Sequence, residues 1–170
     1  QLLADKGVKE IVLTGINLGD FGGTSPLSAG IERQHSTPGM SAVGEPSVYT
    51  TTISKESLFD LIQELEKVAG IERYRISSIE PNLLTNDIIS FVSTSKKFMP
   101  HFHIPLQSGS NKILGLMRRR YRREMYAERV QFIKKQMPHC AIGVDVIVGF
   151  PSETEADFQE TFNFLQGLDI

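Results

Sequence analysis

Four short apolar runs in this chain each end at a glycine or proline turn, and each is followed by residues of helical period. Strands alternating with helices on this scale predict an α/β fold of right-handed βαβ units around a parallel sheet. The first run, Glu10-Ile11-Val12-Leu13-Thr14, is nearly all apolar and stops at Gly15, which predicts a strand covered on both faces. Leu58, Leu61, Ile62, Leu65 and Val68 then recur at helical spacing, with Ser54 or Ser57 as cap and Gly70 as stop. Residues 74–79 read as a second strand, and Leu83, Leu84, Ile88, Ile89 and Val92 as a helix started by Thr85 or Asn86. His101-Phe102-His103-Ile104 is a third strand ended by Pro105, with helices predicted over 110–117 and 123–136. A fourth strand covers 141–148, and Thr154 opens a last helix whose apolar positions are Phe158, Phe162 and Leu165.

Between the first strand and the first of these helices the rhythm breaks. From Gly22 to Thr52 the composition shifts to Gly, Ser, Pro and Thr, far longer than the usual two- to six-residue connection. Residues 23–53 are expected to form a surface insertion, either a featureless flexible loop or a lid or partner-binding segment, with a short strand at 48–53. The whole of 1–170 is otherwise expected to be one domain or part of one. Its 40% hydrophobic and 22% charged content is that of a soluble globular protein, and a net charge of −2 gives no bulk pull toward nucleic acid or membrane. No apolar run approaches the roughly 20 residues that cross a bilayer, and Gln1 begins no signal peptide. The single cysteine, Cys140, permits no internal disulfide, so a cytoplasmic setting is expected.

Ligands of parallel α/β folds bind at the carboxyl ends of the strands, so the four turns are where chemistry is expected. Gly15 and Gly19 flank Asn17 in the first, where glycine allows a backbone amide to approach a ligand, although a tight turn alone would also use them. Ser77-Ser78-Ile79-Glu80-Pro81 forms the second, with Glu80 as an acceptor or a plain surface carboxylate. In the third, Gln107 can donate and accept, and Ser108, Gly109 and Ser110 offer hydroxyl and amide groups suited to a carboxylate or a ribose, or to a helix cap. The fourth puts Asp145 inside an apolar strand, where a buried carboxylate needs a partner. It ends at Gly149-Phe150-Pro151-Ser152-Glu153, where Phe150 can cover an aromatic ring and Ser152 and Glu153 can begin a helix. His101 and His103 share one face of a strand, but no third residue is spaced to complete a metal site. No nucleophile and base stand out as a pair, so no catalytic residue is expected. Arg118, Arg119, Arg120, Arg122 and Arg123 lie within six positions, a grip for phosphate or a solvated helix face.

Read together, four segments carry a specific resemblance: Thr14-Gly15-Ile16-Asn17-Leu18-Gly19-Asp20, Arg73-Tyr74-Arg75-Ile76-Ser77-Ser78-Ile79-Glu80-Pro81, His103-Ile104-Pro105-Leu106-Gln107-Ser108-Gly109-Ser110 and Asp145-Val146-Ile147-Val148-Gly149-Phe150-Pro151-Ser152-Glu153-Thr154. With Met117-Arg118-Arg119-Arg120-Tyr121, Glu124 and Tyr126, they occur in the order and spacing of the radical S-adenosylmethionine methylthiotransferases. The first turn is most similar to the branch that methylthiolates C2 of N6-threonylcarbamoyladenosine at position 37 of transfer RNA. The alternatives are the branches acting on isopentenyladenosine-37 or on a ribosomal protein, and a non-catalytic α/β module binding RNA or protein.

The resemblance implies a TIM-like partial barrel of about four βα units, cytoplasmic, with no membrane partner. It implies a cofactor-binding wall of Gly15, Asn17, Gln107, Ser108, Arg119, Asp145, Phe150 and Pro151. Arg118, Arg120, Arg122 and Arg123 are implied to face the anticodon loop of tRNA. The cofactors implied are S-adenosylmethionine and two [4Fe–4S] clusters, and neither the sulfur donor nor the electron donor is specified. One cluster is held by a CxxxCxxC segment, and with a single cysteine this chain holds no such motif. An N-terminal methylthiotransferase domain and a C-terminal RNA-binding domain are likewise expected to be absent, leaving a fragment that is inactive alone.

Overall fold

A computed structural model of the chain describes residues 1–22 and 56–170. The insertion expected at 23–53, its short strand and Ser54 as a cap lie outside the described residues. After a one-turn helix, α1 (Leu2–Asp5), come β1 (Glu10–Leu13), a 3-10 turn (Leu18–Asp20), α2 (Leu58–Lys67), β2 (Arg73–Ile76) and α3 (Asn86–Thr94). They are followed by β3 (His101–His103), α4 (Asn111–Leu116), α5 (Arg123–Gln136), β4 (Ala141–Gly143) and α6 (Glu155–Gln166). β1 pairs with β2 and β3 with β4, both parallel, Glu10 opposite Arg73 and His101 opposite Ala141. Parallel bridges from Tyr74 to Phe98 and from Ser78 to His103 join the pairs, so the strands run in chain order. This is the α/β arrangement of a partial TIM-like barrel.

Local chemistry sets most boundaries. Ser57 begins α2 with a capping box, its hydroxyl accepting from Asp60 N while its own amide donates to the Asp60 carboxylate. Thr85 caps α3 by accepting from Ile88 N. Thr154 and Asp157 form a second capping box on α6. Asp157 also accepts from Lys112 Nζ at 2.7 Å and Ser110 Oγ at 3.2 Å, and these bonds, Lys112 first, hold its carboxyl well below the usual range. The turn after β3 is thereby tied to the start of α6.

The core lies on one side of the strands. Tyr74, Ile76, Phe102, Ile104 and Ile142 are buried against Ile62 of α2, Ile89 and Val92 of α3, and Tyr126, Val130 and Ile133 of α5. The opposite face carries Glu10, Arg73, Arg75, His101 and His103, with Glu10 bridging Arg73 at 2.8 Å and Arg75 at 2.9 Å. The expectation that β1 is covered on both faces is therefore wrong. Its Val12 is 52% exposed, because the helices among the described residues pack against one side only.

Two further corrections concern the last unit. Ladder pairing of the fourth strand stops at Gly143, and only Val146, bridged to Gln107, continues it. Phe162 is 46% exposed, whereas Asp157, Thr161, Phe164 and Leu165 turn inward. The buried polar contacts of Ser108 and Ser110 with Thr161 and Asp157 fix that face of α6. Phe102→Ala is expected to cost about 3–5 kcal/mol in urea unfolding, whereas Phe162→Ala stays within about 0.5 kcal/mol. Equal losses would contradict this orientation of α6.

Candidate functional site

A cleft of about 170 Å³ opens at the carboxyl ends of β1, β2 and β3. Three turns supply its walls: Ile16, Asn17 and Leu18 after β1, Ser78, Ile79 and Glu80 after β2, and Pro105 and Gln107 after β3. Arg119 and Tyr121, from the α4–α5 connection, complete it. Tyr121 is anchored there because its hydroxyl donates to Pro105 O at 3.0 Å and Leu106 O at 3.2 Å, and burial pushes the phenol up to about 12. Arg119 Nη1 lies 3.3 Å from Glu80 Oε1, while the buried Arg119 Nε has no acceptor. Gln107 holds φ of +67°, with its amide bonded to Asp145 O and its carbonyl to Ile147 N. A left-handed non-glycine residue held by two ladder bonds is strain stored at a site.

Beside the cleft lies an arrangement that the sequence alone left unseen. His103 Nδ1 is 2.6 Å from Ser78 Oγ, and its Nε2 is 3.2 Å from Asp145 Oδ1. The parallel bridge between Ser78 and His103 and the β3–β4 register bring three segments to one imidazole. Alternation on the third strand places His103 on this face; what sequence reading lacked was the register that sets Ser78 opposite it.

The expected wall residues separate into groups. Asn17, Gln107 and Arg119 line the cleft, and Gly15 directly precedes the lining Ile16. A Cβ on Gly15 would meet Leu18 at 3.8 Å, an ordinary contact, so no close approach requires glycine there. Gly19 does require it, because its Cβ would fall 2.5 Å from Leu83 Cβ; the reason is packing, not a ligand. Ser108 is fully buried, its hydroxyl shared with Thr161 Oγ1 and accepting from Ser110 N, so it faces α6 and not the cleft. Asp145 lies outside the cleft lining, its side chain 62% exposed and paired to His103, not buried in an apolar strand. Phe150 and Pro151 are also absent from that lining; the nearby hollow is formed by Val148, Gly149, Glu153, Thr154, Glu155 and Phe158.

Of the arginines, Arg118, Arg120 and Arg122 are exposed. Arg120 and Arg122 line an open groove of about 530 Å³ with Glu124, Met125 and Glu128. Arg123 is different: it pairs with Glu160 and Glu124, donates to Gly109 O and lies 5.9 Å over the Phe164 ring. Its guanidinium fastens α5 to α6. Cys140 is buried on the core side and burial pushes its thiol up to about 11, so it is a poor metal ligand. Among the described residues no three His, Cys, Asp or Glu side chains gather in a way that could hold a metal ion. A [4Fe–4S] cluster does not fit the residues of this chain.

The chain is 40% identical over its full length to a threonylcarbamoyladenosine tRNA methylthiotransferase MtaB from Aquifex aeolicus (strain VF5), covering 34% of that protein. It is also 40% identical over 98% of its length to the MtaB of Bacillus subtilis (strain 168), covering 31%. A tRNA-2-methylthio-N(6)-dimethylallyladenosine synthase from Natranaerobius thermophilus is 36% identical over 99% of the chain, again covering 31%. The chain thus spans about a third of the length of these relatives. The family model for the radical SAM superfamily matches residues 1–165, and the chain belongs to that superfamily.

Proposed function

We propose that this chain is the central part of the radical SAM core of a cytoplasmic tRNA methylthiotransferase, and that its cleft takes a polar part of S-adenosylmethionine. The observation that carries this reading is the convergence of Asn17, Glu80, Gln107 and Arg119 at the carboxyl ends of parallel strands. The fit is good in kind, because the orphaned Arg119 Nε offers a donor to an acceptor group. It is partial in size, since whole-ligand pockets run to roughly 300–1,000 Å³. When bound, the cofactor supplies the radical chemistry for which the superfamily is named. The residues of this chain bind and orient; none is assigned a proton transfer in the methylthiolation itself. The thiolates for one or two [4Fe–4S] clusters are assigned to the parts of the protein that the relatives possess and these 170 residues do not.

The substrate we favour is N6-threonylcarbamoyladenosine at position 37 of tRNA, receiving a methylthio group at C2. Its support is the 40% identity to proteins bearing that name, against 36% for a dimethylallyladenosine enzyme, which stands as the second reading. Arg118, Arg120 and Arg122 face solvent and suit the phosphates around an anticodon loop.

Two measurements test this. Calorimetric titration with S-adenosylmethionine should show Arg119→Ala binding about tenfold or more weaker, the value of a charge-assisted bond. Unchanged affinity would remove Arg119 and the cleft from the assignment. In the full-length protein, replacing Arg120 and Arg122 by alanine should weaken tRNA binding and lower the salt slope by roughly two. An equal effect from Arg123→Ala in a folded protein would contradict its structural role.

A further inference from the structure

The hydrogen-bonded chain Ser78–His103–Asp145 is not needed by the core, which lies on the other face of the strands. The site is nevertheless shaped for the imidazole. A Cβ on Gly143 would meet His103 Cδ2 at 3.1 Å, so glycine lets the ring lie close against β4. The carboxylate of Asp145 can only accept, so His103 Nε2 carries a proton toward it at 3.2 Å. In the neutral ring Nδ1 is then a bare acceptor, and Ser78 Oγ, 2.6 Å away, donates to it. Ser78 lines the cleft, and in this state its remaining lone pairs make it an acceptor there. A second proton on Nδ1 reverses the bond: Nδ1–H donates, and the Ser78 hydroxyl is released to donate into the cleft.

We propose that His103 is a positioning residue whose protonation switches Ser78 between acceptor and donor toward the cleft, and so makes S-adenosylmethionine binding pH-dependent. This rests on the reading of the cleft as a cofactor site. S-adenosylmethionine carries a net positive charge, its sulfonium and ammonium outweighing its one carboxylate, so the charge added on His103 opposes its binding at low pH. Asp145 faces the imidazole from the segment after β4 and His101 from its own strand, with Arg75 of β2 beside His101; Glu80 and Arg119 face the cleft. Burial, with Arg75 and His103 beside it, pushes the His101 imidazole down. Binding is therefore full with His103 neutral and weaker with His103 protonated.

Long-range 15N NMR of the chain at pH 7.5 should show His103 as the Nε2–H tautomer, and calorimetry should show S-adenosylmethionine binding about three- to tenfold weaker at pH 5.5 than at pH 7.5. His103→Gln should flatten that dependence, and Asp145→Asn, a change at an exposed position, should shift its midpoint to lower pH. An Nδ1–H tautomer, or the same pH dependence in both variants, would overturn the proposal. Binding that is tight but independent of pH would overturn this inference and leave the cofactor reading standing, whereas no binding at either pH would overturn both.

Discussion

Tyr74, Ile76, Phe102, Ile104 and Ile142 turn toward the helices because alternate side chains of a strand point to opposite faces, and α2, α3 and α5 supply apolar cover on one face. Burying these residues forces Glu10, Arg73, Arg75, His101 and His103 to the other face, where Glu10 pairs with Arg73 and Arg75, and His103 with Asp145. At roughly 25 cal/mol per Å² of apolar surface, a buried aromatic or aliphatic side chain outweighs the 0–1 kcal/mol of an exposed ion pair. The apolar side therefore sets the register and the polar side follows it. Once the parallel register is set, the turns after β1, β2 and β3 meet at one end, and the cleft is a consequence of that meeting.

Two ties hold the turns in place. Tyr121 and Tyr126 reach from the α4–α5 connection and from α5 to the carbonyls of Ile104, Pro105 and Leu106, which fastens the end of β3 to the helical layer. Ser108, Ser110, Lys112, Asp157 and Thr161 form the second tie, a largely buried polar network in which each hydroxyl has a partner. Such a network stabilises only when satisfied, and here it fixes α6 against the turn that carries Gln107. The strained φ of Gln107 persists because both sides of it are held.

Much of this was legible in the residues. Ser57, Thr85 and Thr154 as caps, the helix over 123–136 and the parallel α/β order follow from patterns that depend on near neighbours in sequence. What escaped depends on register between strands far apart in the chain. The placing of Ser78 against His103, and of Asp145 against the same imidazole, follows from which residue lies opposite which, and hydrophobic period does not state that. Phe162 turns outward for a related reason, since buried polar partners outrank an apolar side chain in orienting α6. Ser108 and Arg123 carry residue types suited to ligands, yet each is engaged by Thr161 or by Glu160 and Glu124 inside the fold.

The turns after β1, β2 and β3 are thus read as the place where S-adenosylmethionine is received. Amide and side-chain NMR shifts of the 15N-labelled chain, followed while the cofactor is added, locate its binding site residue by residue. Perturbations are expected to concentrate at Asn17, Ser78, Glu80, Gln107 and Arg119. Perturbations confined to the hollow formed by Val148, Glu153 and Phe158, or spread evenly along the chain, would place the cofactor elsewhere.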